Sequence, residues 1–235
     1  MRAHGVQALL MGGQACVLYG AAEFSRDADF AILASPENLD RLRGALNELQ
    51  AEVIAVPPFA SEYLERGHAV HFRCRHPDAS GFRVDVMAHL RGVAPFTELW
   101  ARRTSWDLSK DFQVDSLSLP DLVASKKTQR DKDWPMLRRL VEVSYDVGFA
   151  SPTPERIEFW LRELRTPDLL LDVVRWFPLE AERAAGERPA VQAARGGNLE
   201  AIRTALTDEE VRERDLDRAY WAPLKAELEA LRHKR

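Results

Sequence analysis

The chain has 235 residues, 46% of them hydrophobic and 30% charged, which suits one large domain or a domain with a smaller companion. A formal net charge of -4 excludes a protein that coats nucleic acid through a generally basic surface. Only two cysteines, Cys16 and Cys74, are present, so a disulfide framework is excluded and a reducing compartment is expected.

Along the chain, Val6 to Met11 reads as a short apolar strand that stops at Gly12-Gly13. "QACVLYGAAE" suits a short helix that opens at those glycines, and "DADFAIL" reads as a second strand. Ser35-Pro36 is an N-cap followed by proline at the first helical position. Leu39, Leu42, Leu46 and Leu49 follow at helical spacing, so a helix is predicted over 36–50. "AEVIAV" is a predicted strand ended by Pro57-Pro58. "HAVHFRCRH" and "FRVDVMAHL" flank "PDASG", which predicts an antiparallel hairpin. Residues 91–113 carry no readable pattern.

After about residue 116 the period becomes helical. "SLPDLVASKK" has a helix start signal, Pro135 opens a further helix, and "SPTPERIEFWLRELR" and "TPDLLLDVVRWF" each repeat the N-cap pattern. "FPLEAERAAGERPAVQAARGGN" is the weakest part, and a mobile loop is expected there. The expected fold class is α/β, in its α+β form, a mixed sheet with flanking helices followed by a helical C-terminal region. The expected division is 1–116 and 117–235. "MRAHGVQALLMGG" lacks a secretory layout, and no apolar run approaches the roughly 18 residues of a membrane span. A cytoplasmic protein with no membrane partner is expected.

The residues that can carry chemistry lie in the first half. Side chains alternate along a strand, so Ala28, Phe30 and Ile32 share one face while Asp27 and Asp29 share the other. Two carboxylates two residues apart on one face can grip a hard cation such as Mg²⁺ or Mn²⁺, and Mg²⁺ is commonly completed by substrate phosphates. The same pair also suits a solvated turn or the guarding of a strand edge. Gly12-Gly13 lets the backbone approach a ligand closely, or makes an ordinary tight turn. Asp85 lies between Val84 and Val86, facing away from them with Arg83 and Met87. An acid inside a strand is disfavoured, and a shared metal site is one reason to keep it. A hydrogen-bonded edge acid is the other reading. Asp115 in "QVDSL" is a rival third acid, and Asp85 is preferred because its strand is longer and better patterned.

Gly12, Gly13, Gly20 and "SRDADF" together resemble the opening motif of the nucleotidyltransferase superfamily that includes DNA polymerase beta. In detail the chain looks most like small bacterial nucleotidyltransferases, among them abortive-infection-type toxins. Ala28 stands where a bulkier apolar residue is usual. Asp121, Lys126 and Lys132-Asp133 resemble a second segment of those proteins, and the likeness spans roughly residues 5 to 140. The resemblance implies a nucleotidyltransferase-like mixed sheet and Mg²⁺- or Mn²⁺-dependent transfer of a nucleoside monophosphate from an NTP such as ATP. Asp27, Asp29 and Asp85 would be the catalytic and metal-binding residues. Gly12, Gly13, Arg26 and Lys126 would meet the nucleotide, although an exposed arginine and a solvated helix lysine are the plainer readings of the last two. The acceptor is a protein, an RNA end or a small molecule, and a toxin paired with an antitoxin-like protein partner is one version. The alternative is a catalytically inactive nucleotide- or protein-binding module of the same fold. A structural interaction domain is a third reading. It leaves unexplained why acids sit on the non-core faces of apolar strands.

His68, His71, Cys74 and His76 match none of the usual zinc spacings. Cys16 reads as a buried structural thiol, and Trp160, Trp176 and Trp221 as helix-packing residues.

Overall fold

The computed structural model describes residues 1–233. The chain divides into two units, one formed by Met1–Ser125 with the end of the chain from Ala219, and one by Lys126–Arg218.

The first unit is built on a seven-stranded mixed sheet. Its strands are β1 (Ala8–Met11), β2 (Asp27–Ile32), β3 (Glu52–Val53), β4 (Val70–Arg73), β5 (Arg83–Met87), β6 (Thr104–Ser109) and β7 (Phe112–Ser116). They lie in the order β3-β4-β5-β2-β1-β7-β6. β2 runs parallel to β5 and β1 parallel to β7, while the other neighbours are antiparallel. Helices α1 (Gly12–Leu18), α2 (Pro36–Glu48), α3 (Ser61–Glu65), α4 (Phe96–Ala101) and α5 (Leu119–Ser125) fall between or after the strands.

The core on one sheet face follows from alternation. Val70, Phe72, Val84, Val86, Ala8 and Ile32 meet Leu39, Leu42, Ala45 and Leu46 of α2. Residues opposite one another in a ladder share a face, so Ala28 with Val84 and Phe30 with Val86 extend that face through β2 and β5. α2 begins where the sequence predicts. The Ser35 hydroxyl accepts from the Asn38 backbone at 3.3 Å and Pro36 takes the first helical position. Asn38 is itself buried. Its side chain donates to the carbonyls of Gln7 and Leu33 and accepts from the Gln7 amide at 2.7 Å, which fixes α2 against the approach to β1.

Three stretches differ from expectation. Only Glu52–Val53 of "AEVIAV" forms a ladder, because this is an edge strand with β4 as its one neighbour and the prolines that follow carry no N–H. Residues 91–113 hold α4 and most of the β6–β7 hairpin. That hairpin is largely exposed and lacks the buried alternation that marks a strand in sequence. The expected mobile loop after Phe177 is instead two helices, α9 (Pro178–Ala185) and α10 (Pro189–Arg195), each opened by a proline.

The second unit is helical, as the period predicts. It contains α6 (Asp133–Gly148), α7 (Pro154–Glu163), α8 (Pro167–Trp176), α9, α10 and the first part of α11 (Leu199–His233). Trp160 is fully buried and meets Tyr145 edge-on with ring centroids 5.4 Å apart. Trp176 is largely exposed and meets Phe149 edge-on with ring centroids 6.1 Å apart. A buried polar group organises this unit. Glu209 lies between the Arg165 and Arg188 guanidiniums at 3.3 and 3.0 Å. Arg188 also donates to the Leu161 and Leu164 carbonyls, closing the C-terminal end of α7. Among the described residues, no helix is long and apolar enough to cross a membrane.

The α2 interface is the test of the first core. Leu42 has no exposed surface there. Leu42→Ala should lower stability by about 2–5 kcal/mol, read as a reduced denaturation midpoint in urea.

Candidate active site

The Gly12-Gly13 turn, the start of β2 and the start of β5 converge on the sheet face opposite α2. Met11 pairs with Asp29, and Asp29 pairs with Asp85, so the last residue of β1 and two of the expected acids form one transverse row. His71 of β4 lies across from Asp85 and ends that row. In the next row Asp27 pairs with Arg83, and Arg83 with Arg73. Adjacent strands are about 4.8 Å apart, so register alone sets the Asp29 and Asp85 backbones side by side.

Gly12 is needed for this packing. Its φ is +65°, and a Cβ there would stand 1.9 Å from Asp29 Oδ2. The Asp29 carboxylate therefore lies directly against the glycine backbone. A Cβ on Gly13 would stand 2.5 Å from the Ser25 hydroxyl. Ser25 donates to the Asp27 carbonyl at 3.1 Å, and Gln14 donates to the Ser25 carbonyl at 3.1 Å. These bonds fasten the segment before β2 to the glycine turn. Tyr19, at the C-terminal cap of α1, donates to the Leu117 carbonyl at 2.9 Å and accepts from the Thr104 hydroxyl at 2.7 Å, which holds α1 against β6 and the residue after β7. Arg26 is exposed.

Asp85 is engaged from two sides. Arg83 Nε and Nη2 each reach one of its oxygens at 2.8 Å. His71 Nδ1 lies 2.9 Å from Oδ1. Burial pushes the Asp85 carboxyl up, but His71 and Arg83 outweigh it and hold it below the usual aspartate range. Arg83 is shifted the other way, raised chiefly by its bonds to Asp85 and further by the Asp27 and Asp29 charges. The register sets Asp27 opposite Arg83 and puts all three acids on the same sheet face as that arginine.

Asp115, the rival acid, lies in β7 of the edge hairpin, with β1 between it and β2. It is paired with Arg103 at 3.2 Å and accepts from Ser105. Asp121 is buried in α5, where Arg102 grips both oxygens at 2.7 Å. Lys126 belongs to the second unit. It is buried there against Asp133 at 3.3 Å, and Asp133 also accepts from Thr128 and Arg130. The plain reading of Lys126 as a solvated lysine is therefore overturned: its ammonium is buried because Asp133 compensates it.

His71 and Arg83 are the residues at this site to which sequence reading gave no role. His71 stands in a histidine-rich strand that matches no metal spacing, and only the β4–β5 register brings it to Asp85. The other members of that stretch go elsewhere. His68 is buried and bonds Glu227 at 2.7 Å, and Cys74 is a buried thiol outside any disulfide.

The chemistry of the acids suits a hard divalent cation, since all three offer carboxylate oxygens and none of the soft ligands. Among the described residues, no group of three or more His, Cys, Asp or Glu is assembled to hold a metal. Both Asp85 oxygens are turned to Arg83. No protein-family model matches the chain, and no curated protein matches it.

Two outcomes check this geometry. Gly12→Ala should cost about 1–3 kcal/mol, because it strains a left-handed backbone and drives Asp29 aside. Gly13→Ala should cost less, because the Ser25 hydroxymethyl can turn away; paired urea titrations give the comparison. In the second unit, burial raises the Asp133 carboxyl, but Lys126, Thr128 and Arg130 bring it below the ordinary 3.8. Its stabilising contribution is therefore full above that value and lost as pH falls through the folded pKa. Asp133→Asn should cost about 3 kcal/mol at pH 7 by leaving Lys126 buried without its counter-charge. The gap from the unsubstituted protein should close below pH 3.8, as measured by denaturation across pH.

Proposed function

We propose that the chain is a divalent-metal-dependent nucleotidyltransferase of the DNA polymerase beta-like kind, with a nucleotidyltransferase-like first unit. The observation that carries this reading is the row Met11–Asp29–Asp85, with Asp27 on the same face and Gly12 packed on the Asp29 carboxylate. A solvated pair of strand-edge acids does not account for a third acid in register on the neighbouring strand. Nor does it account for a glycine whose missing side chain is filled by one of them.

In the proposed reaction an acceptor hydroxyl oxygen bonds to the α-phosphorus of an NTP, and the bond from that phosphorus to the bridging oxygen of the β-phosphate breaks. Pyrophosphate leaves. Asp27, Asp29 and Asp85 would hold Mg²⁺ or Mn²⁺, which supplies charge neutralisation at the phosphoryl oxygens and lowers the pKa of a bound hydroxyl. Asp85 is the acid proposed to take the hydroxyl proton, and it is a weak base for as long as Arg83 and His71 hold its carboxyl below the usual aspartate range. The Asp29 carboxylate packs on the Gly12 backbone. Gly12 and Gly13 would lie against the triphosphate through their backbone, and Arg26 is an exposed cation one residue before Asp27. The resemblance also assigns Lys126 to phosphate, and in the second unit that lysine is committed to Asp133.

A catalytically inactive binding module of the same fold is the second reading. The two-pronged hold of Arg83 on Asp85 favours it, because it ties up one of the three acids. Protein, RNA-end and small-molecule acceptors, and an antitoxin-like partner, all remain open under the first reading.

Thermal unfolding with Mg²⁺ and each of the four NTPs tests the site. Ligand at a hundredfold excess over its Kd adds about 2.7 kcal/mol to folded-state stability. The expected result is a metal-dependent rise in Tm with at least one NTP, absent in Asp27→Ala/Asp29→Ala. Release of pyrophosphate from that NTP, once an acceptor is supplied, separates the enzyme from the binding module. No rise with any nucleotide at millimolar concentration sinks both nucleotide readings.

A further inference from the structure

We propose that Arg83 exchanges partners at this site. It holds Asp85 when no ligand lies on the sheet face, and it passes to a phosphate of the incoming triphosphate when a divalent cation takes Asp85. This inference rests on the nucleotidyltransferase reading above.

Three observations carry it. Arg83 occupies both oxygens of Asp85 at 2.8 Å, so a cation recruiting that carboxylate must break two charge-assisted hydrogen bonds. The contact is local, between residues two apart on one face of β5, so a change of the arginine rotamer is enough to release it. The Arg83 side chain is 37% exposed and that of Asp85 13% exposed, so the guanidinium has room to turn outward while the carboxylate keeps a smaller opening to solvent.

Competition follows from charge. Asp27, Asp29 and Asp85 share one face with Arg83, and a divalent ion and a guanidinium are alternative counter-charges for the same oxygens. Metal alone must displace Arg83 into water. Metal arriving with a triphosphate offers Arg83 a better destination, since its planar fork fits two phosphate oxygens as it fits two carboxylate oxygens. Each ligand then strengthens the binding of the other, and the coupling is reciprocal. His71 Nδ1 lies 3.0 Å from Arg83 Nη2 and 2.9 Å from Asp85 Oδ1, so it either accepts from Arg83 or donates to Asp85, and in each case it belongs to the cluster that the exchange rearranges. Arg83 is thus the group that keeps the site from loading metal unproductively. It becomes a phosphate contact only when substrate is present.

Titration calorimetry on the full chain tests this with two probes, Mn²⁺ alone and the preformed complex of Mn²⁺ with inorganic tripolyphosphate. Arg83→Gln should bind Mn²⁺ alone about tenfold more tightly and the tripolyphosphate complex about tenfold more weakly. Changes of opposite sign are not produced by a purely structural defect. Arg83→Lys keeps the charge but not the fork, and it should fall between in both titrations. It also serves as the variant to read if Arg83→Gln does not fold, judged by circular dichroism. Mn²⁺ binding that is lost in Asp29→Asn but unchanged by Arg83→Gln or Arg83→Lys would overturn the exchange and leave the metal site standing. Tighter Mn²⁺ binding with unaltered tripolyphosphate binding would also overturn it. Absence of Mn²⁺ binding in every variant would remove the underlying reading together with the exchange.

Discussion

The parallel pairing of β2 with β5 is the constraint on which the first unit depends. It links residues more than fifty positions apart, and the ladder runs from Asp27 opposite Arg83 to Ala31 opposite Met87. One face of that ladder buries Ala28, Val84 and Val86 in the core, with Phe30 packed against it. The other face gathers Asp27, Asp29, Arg83 and Asp85. A slip of one residue would put the acids into the core and the valines into solvent, so hydrophobic burial on one face enforces the charge geometry on the other. A parallel pair also needs a crossover. α2, β3, α3 and β4 lie within it and bring His71 to the same row.

Electrostatics then shapes what the backbone has arranged. Three carboxylates on adjacent strands repel, and within the sheet face Arg83 answers them. Its fork on Asp85 lowers the pKa of that acid, so protonation does not relieve the repulsion. A face of carboxylates with one guanidinium among them suits a cation and a polyphosphate and does not suit an apolar ligand. Gly12 contributes by the absence of a side chain, since any Cβ would take the space of the Asp29 carboxylate.

The second unit rests on a different balance. Its helices mostly start at prolines, which present φ ready for the first turn and lose no hydrogen bond there. Its charged groups are buried and compensated. Glu209 answers Arg165 and Arg188, and Asp133 answers Lys126. Such pairs add little over apolar packing, but breaking one leaves a bare charge in the interior. The Glu209 cluster ties α11 to the end of α7, and Lys126 fastens the segment before α6 to its first turn.

Sequence by itself determined a good part of this protein. Alternation separated Asp27 and Asp29 from Ala28 and Ile32, capping placed the start of α2 at Pro36, and the helical period identified the all-helical second half. These signals are local, set by neighbours within a turn or a strand, so one chain segment holds them entire. Tertiary structure decided the rest. The neighbourhood of Asp85, the arrival of His71, the burial of Lys126 and the place of the β6–β7 hairpin beside β1 all depend on partners distant in the chain. No local pattern encodes which strand lies beside which. That choice belongs to the global packing of apolar faces, and the partners of Asp85 are a consequence of it.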